Sequence, residues 1–166
     1  KHFYQKGNKI IVVLMLAFGC TIIFAKDIFA IILGEKYREA AYILPFLAFH
    51  PMMYTISEST VGGIVFKKKS GMQVLCSAIS CVVNLAGNCL LIPIFGGKGA
   101  AISTGLSYVL FFTLRTVFAN KYYYVDYSLK KFYIVLFAVI VFAAYNTFVT
   151  FNPFTILLYA ACMAVL

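Results

Sequence analysis

The sequence predicts an all-α integral membrane protein of about six transmembrane helices. Three observations predict it. Of 166 residues, 63% are hydrophobic and 11% charged, whereas a soluble domain is about 45–50% apolar and about 25% charged. The apolar residues fall in long unbroken runs rather than in short alternating ones. The charges are confined to short clusters between those runs, where they act as topology signals.

The first run extends from Ile10 to about Ala25, is interrupted by Lys26 and Asp27, and continues to Leu33, with Gly34 as a helix stop. The others cover residues 40–66, 72–94, 100–119, 132–148 and 155–166. At 1.5 Å per residue, about 20 residues cross a hydrocarbon core of about 30 Å. The second, third and fourth runs meet that length and the fifth approaches it. The sixth is short at the chain end, which reads as part of a longer protein. Runs of this length mean helices rather than barrel strands. Pro45 and Pro51 predict a bend in the second run. A signal peptide would explain the first run alone, but not the five that follow.

Loop charge sets the orientation. Lys1, Lys6, Lys9, Lys67, Lys68, Lys69, Arg115, Lys121, Lys130 and Lys131 collect on one side, against Lys26, Lys36, Arg38 and Lys98 on the other. The richer side is expected to be cytoplasmic. That places Gly34–Glu39 and Phe95–Gly99 outside, and Lys67–Lys69 and Asn120–Lys131 inside. The net charge of +9 does not point to nucleic acid, because no nucleic-acid-binding motif accompanies it. Cys20, Cys76, Cys81, Cys89 and Cys162 lie in apolar runs without a CxxC pair, and read as packing residues.

Few residues stand out chemically. Glu58 lies within the second run, where a charge costs about 2.5–3.5 kcal/mol on insertion scales. It is either a proton, cation or substrate site, or a paired glutamate that holds helices together. His50 lies eight residues earlier and shares a face with Tyr54, Ser57 and Glu58. It is about 12 Å from Glu58 along the axis, too far for a direct bond. Ser77, Cys81, Asn84 and Asn88 form a polar stripe on the third run, suited to helix–helix hydrogen bonding or to lining a polar cavity. Gly99, Ser103 and Ser107, with Ala101 and Gly105, let helices approach closely. Arg115, near the expected cytoplasmic end, can snorkel to the interface or contact phosphate. Lys67, Lys68 and Lys69 suit anionic lipid heads or a lipid diphosphate. No Gly-rich phosphate loop, metal-ligand cluster or nucleophile–base spacing appears, so the sequence gives no catalytic residue, no metal site and no cofactor.

Two stretches carry a resemblance. Leu33-Gly-Glu-Lys-Tyr-Arg-Glu-Ala-Ala-Tyr-Ile-Leu44 leads into the second run, and Asn84-Leu-Ala-Gly-Asn-Cys-Leu-Leu-Ile-Pro-Ile-Phe-Gly-Gly-Lys-Gly-Ala-Ala-Ile-Ser-Thr-Gly105 joins the third and fourth. In order and spacing they resemble the C-terminal half of bacterial polysaccharide-repeat flippases of the O-antigen, capsule or teichoic type. These belong to the multidrug/oligosaccharidyl-lipid/polysaccharide exporter superfamily. The resemblance covers nearly the whole chain. It implies that the present helices form most of the C-terminal lobe of a two-lobe, MATE-like transporter, with an N-terminal lobe elsewhere in the same protein. It also implies alternating access for a polyprenyl-diphosphate-linked oligosaccharide in a bacterial cytoplasmic membrane. Coupling to a proton or sodium gradient would accompany it. The expected partners are that lipid-linked substrate and membrane lipids. A multidrug or cation exporter of the same superfamily is the nearest alternative. A polysaccharide polymerase or sugar transferase fits less well, for want of a long loop or soluble head.

Overall fold

A computed structural model describes residues 2–32, 38–125, 127, 129–149 and 153–165. Among them the secondary structure is helical throughout. α1 (His2–Phe24) passes through a turn at Ala25 into α2 (Lys26–Ile32). α3 (Arg38–Ala41), α4 (Leu44–Leu47), α5 (Phe49–Thr60) and α6 (Gly62–Phe66) follow as short pieces. α7 (Ser70–Phe95), α8 (Gly97–Tyr122), α9 (Leu129–Phe148) and α10 (Pro153–Val165) complete the chain. Residues 34–37 of the expected outer connector, and with them the first part of the Leu33–Leu44 motif, lie outside the described residues.

Four helices are long and apolar enough to cross a membrane, covering Gln5–Phe24, Ser70–Phe95, Gly97–Tyr122 and Leu129–Phe148. The protein is an all-α integral membrane protein. The second apolar run is not one helix. Its first breaks, at Tyr42–Ile43 and at Ala48, fall just ahead of the prolines. Pro45 and Pro51 thereby occupy the first turns of α4 and α5, where a missing N–H costs nothing. A third break, at Val61 ahead of Gly62 and Gly63, has no proline behind it.

α8 is the central helix, packed against α7 on one side and α4, α5 and α6 on the other. Its small residues make this geometrically feasible. Gly99, Ala101, Ser103, Gly105 and Ser107 are all buried, and a Cβ at Gly99 would run into the Leu91 carbonyl of α7. The α7–α8 connection shrinks to Gly96, whose φ of 58° and ψ of −134° are poorly accessible to a residue with a Cβ. On the far side, Leu16, Cys20 and Ile23 of α1 meet Phe49, Met52 and Ile56 of α5 and Leu136, Val139 and Phe142 of α9 in one continuous core. α7 buries little beyond its contact with α8, so Val74, Val82, Leu90 and Ile94 remain exposed apolar surface, compatible with acyl chains or with further helices.

Lys26 departs most from the sequence reading. It is expected as a loop cation of the outer side, yet it is fully buried. Its ammonium donates to the carbonyls of Asn146 and Val149 at the end of α9, the latter at 2.5 Å. It also lies 4.6 Å from the centre of the Tyr42 ring. A cation at the C-terminal end of a helix satisfies carbonyls that have no partner within the helix and complements the helix dipole. Lys98 approaches the same Tyr42 ring at 4.8 Å.

Candidate functional site

The polar residues of α5, α7 and α8 converge where these helices meet. Arg115 of α8 does not snorkel outward as the sequence suggests. Its side chain is only 6% exposed and turns inward, donating to Glu58 Oε1 at 2.7 Å. The same terminal nitrogen donates to Ser57 Oγ at 2.8 Å, and the other to Gln73 Oε1 at 3.4 Å. Nε is buried without a partner. The Glu58 side chain is 47% exposed, so the pair straddles a boundary: one partner is enclosed and the other reaches open space. Removal of a partner is felt unequally in such a pair, because the enclosed charge has no water to fall back on.

Beside this pair, α5, α7 and α8 border a half-open cavity of about 510 Å³. His50 and Tyr54 of α5, Ser77, Ser80, Cys81, Asn84 and Leu85 of α7, and Thr104, Ser107, Tyr108 and Phe111 of α8 line it. His50 sits against Tyr108 with ring centres 4.2 Å apart. Tyr54 and Phe111 lie nearly parallel, 5° between their planes and 6.3 Å between centres. The Arg115 guanidinium carbon is 6.0 Å from the Tyr54 ring and 5.4 Å from that of Phe111. These two rings therefore border both the cavity and the ion pair, and their faces attract the cation.

The polar stripe on α7 serves two purposes. Asn84 donates to Thr104 Oγ1 at 3.2 Å and to Ser107 Oγ at 2.9 Å, tying α7 to α8 while facing the cavity. Its backbone carbonyl accepts from Ser103 Oγ at 2.9 Å. Asn88 donates to Asn84 Oδ1 at 2.8 Å, keeps its own Oδ1 buried without a partner, and stands outside the cavity lining. A lower link joins α5 to α8 through the hydroxyls of Thr60 and Thr116, 2.8 Å apart.

Of the sequence candidates, Glu58 and Arg115 meet each other, and His50 and Asn84 meet at the cavity. Lys67, Lys68 and Lys69 are exposed on the turn between α6 and α7, where Lys68 takes a φ of 52°. Gln73 and Ser80 were not singled out by the sequence. Both extend the α7 stripe at helical spacing: Gln73 four residues before Ser77, Ser80 four before Asn84. That periodicity was the available signal. Among the described residues no group of three or more His, Cys, Asp or Glu side chains could hold a metal ion.

No protein-family model matches the chain, and no solved structure matches it significantly. Over 106 residues, 64% of this chain, it is 27% identical to a probable low-salt glycan biosynthesis flippase, Agl15, of the archaeon Haloferax volcanii. The match covers 22% of that protein's length. The chain is thus similar to about a fifth of that longer protein.

Proposed function

We propose that this chain forms most of the C-terminal lobe of a flippase that moves a polyprenyl-diphosphate-linked oligosaccharide across the cytoplasmic membrane by alternating access, for cell-surface glycan synthesis. The distant similarity to a glycan biosynthesis flippase supports the substrate class. The geometric observation that carries the reading is the half-open Arg115–Glu58 pair beside a polar and aromatic cavity. Otherwise lipid-compatible helices have no structural need to hold such a cavity open. Support for a bacterial host is the motif resemblance alone, since the similar protein is archaeal.

In this reading the Arg115 guanidinium is the phosphate-facing group of the lobe, with Glu58 as its resting counter-ion. A proton or sodium ion taken up at Glu58 loosens the pair and frees the guanidinium for a phosphate oxygen, which couples the cycle to an ion gradient. Lys67, Lys68 and Lys69 draw anionic lipid heads to the same end. The lining of the cavity disfavours a drug–cation exporter, because it contains no Asp or Glu.

The test is export in cells depleted of the native protein, complemented by full-length Arg115→Met or Glu58→Gln at matched protein level. Arg115→Met is expected to lower the appearance of lipid-linked glycan on the outer leaflet by at least about tenfold, equivalent to ~1.4 kcal/mol. Undiminished export by both variants would remove the pair from the mechanism. Undisturbed glycan export after depletion without complementation would remove the flippase assignment itself.

A further inference from the structure

We propose that the cavity between α5, α7 and α8 is a neutral-saccharide site, which takes an uncharged sugar ring of the lipid-linked glycan and excludes its phosphate. The proposal rests on the flippase reading for its ligand, but on the cavity alone for its chemistry. At about 510 Å³ the space lies within the range of about 300–1,000 Å³ usual for small-ligand sites. Its lining contains no Lys, Arg, Asp or Glu. A phosphate there would meet no lysine or arginine of the lining, the donors on which phosphate sites are usually built.

The lining instead matches the two surfaces of a sugar. A pyranose presents an apolar C–H face and a rim of hydroxyls. The His50 and Tyr108 rings, 4.2 Å apart and tilted by 33°, offer aromatic surface for the first. For the second, Ser80 lines the cavity with its hydroxyl buried and unpartnered, the residue being 8% exposed. Native buried hydroxyls nearly always have a partner, so Ser80 is a group awaiting one. Asn84 stands one turn further along α7 on the same wall. The Tyr54 and Phe111 rings line this space and also approach the Arg115 guanidinium. Sugar and phosphate thus have adjacent positions, the one at the neutral lining and the other at Arg115.

Two native cysteines report on it. Cys81 is exposed and lines the cavity, while Cys89 is exposed on the same helix outside the lining. The full-length protein in lipid nanodiscs is treated with N-ethylmaleimide, and modification of each peptide is followed by mass spectrometry. The probes are lipid-linked glycan extracted from producing cells and polyprenyl diphosphate that carries no sugar. The intact glycan lipid is expected to slow Cys81 modification at least about threefold, the effect of two-thirds occupancy, with Cys89 unchanged. The sugar-free lipid should not protect Cys81. Ser80→Ala should abolish the protection while the unliganded Cys81 rate stays normal, which shows the fold intact. His50→Ala, which removes one of the two rings, gives a second variant with the same expected loss. Equal protection by both lipids would overturn the proposal in favour of a lipid or phosphate site. Absent protection in a protein that still exports glycan would overturn the saccharide site and leave the flippase reading standing. Protection of Cys81 in a protein that exports none would uphold the site and sink the flippase reading.

Discussion

Arg115 and Glu58, 57 residues apart in the chain, meet at 2.7 Å with unequal exposure, 6% against 47%. The inequality makes a stability prediction. Glu58→Ala strands an enclosed guanidinium, whereas Glu58→Met with Arg115→Met removes both charges and leaves apolar volume. Loss of one partner from a fully buried pair costs about 3–5 kcal/mol, and an exposed pair contributes about 0–1 kcal/mol. For this half-open pair the single variant should lose about 1–3 kcal/mol and the double variant less. Thermal melting of the full-length protein in detergent would show it. A double variant less stable than the single would mean that the pair stabilises the fold beyond mere charge compensation.

A second prediction concerns backbone contact. A Cβ at Gly63 of α6 would collide with the Ala119 carbonyl of α8, and lie 3.1 Å from the Tyr123 nitrogen. Neither obstacle is a flexible side chain, so Gly63→Ala must push α6 off α8, at about 1–3 kcal/mol. Gly71, near the start of α7, has open space around it. Gly71→Ala should be neutral or gain up to about 1 kcal/mol from helix propensity. Equal melting of the two variants would contradict the packing described for α6.

The four long apolar helices were legible because lipid imposes a length and composition that a reader can measure. Glu58 was legible because a lone carboxylate in an apolar run is conspicuous. Its partner was not: Arg115 stands close enough to a helix end that snorkelling is as reasonable locally as an inward turn. Lys26 shows the same limit. Next to Asp27 it reads as a loop, and its acceptors are backbone carbonyls some 120 residues away, which every residue carries and no sequence pattern marks. The division of the second run at Val61 was also missed, because paired glycines within an apolar run equally suit close packing.

Lys26 yields a third prediction. Lys26→Met preserves the length and apolar stem of the side chain but leaves the Asn146 and Val149 carbonyls short of a donor. The stranded acceptors should cost about 1–3 kcal/mol, read as reduced thermal stability and faster proteolysis near the end of α9. Tyr42→Leu removes the ring that both Lys26 and Lys98 approach, at a smaller cost of about 0.5–2 kcal/mol. If Lys26→Met melts with the native protein, the ammonium contributes nothing net to holding α2 against α9.

The two asparagines of α7 separate adhesion from spectator polarity. Asn84 donates twice into α8 and accepts from Asn88. Asn84→Leu therefore loses two interhelical bonds, each worth about 0.6–2 kcal/mol in a membrane, and frees the amide of Asn88 as well. Asn88→Leu loses one bond within α7 and removes a buried oxygen that has no partner, so its cost should be near zero or its effect stabilising. The order of melting temperatures should be Asn88→Leu at or above native, and Asn84→Leu below both. The reverse order would place the adhesive contact toward the C-terminal end of α7, and would require Asn84 to face the cavity without holding its walls together.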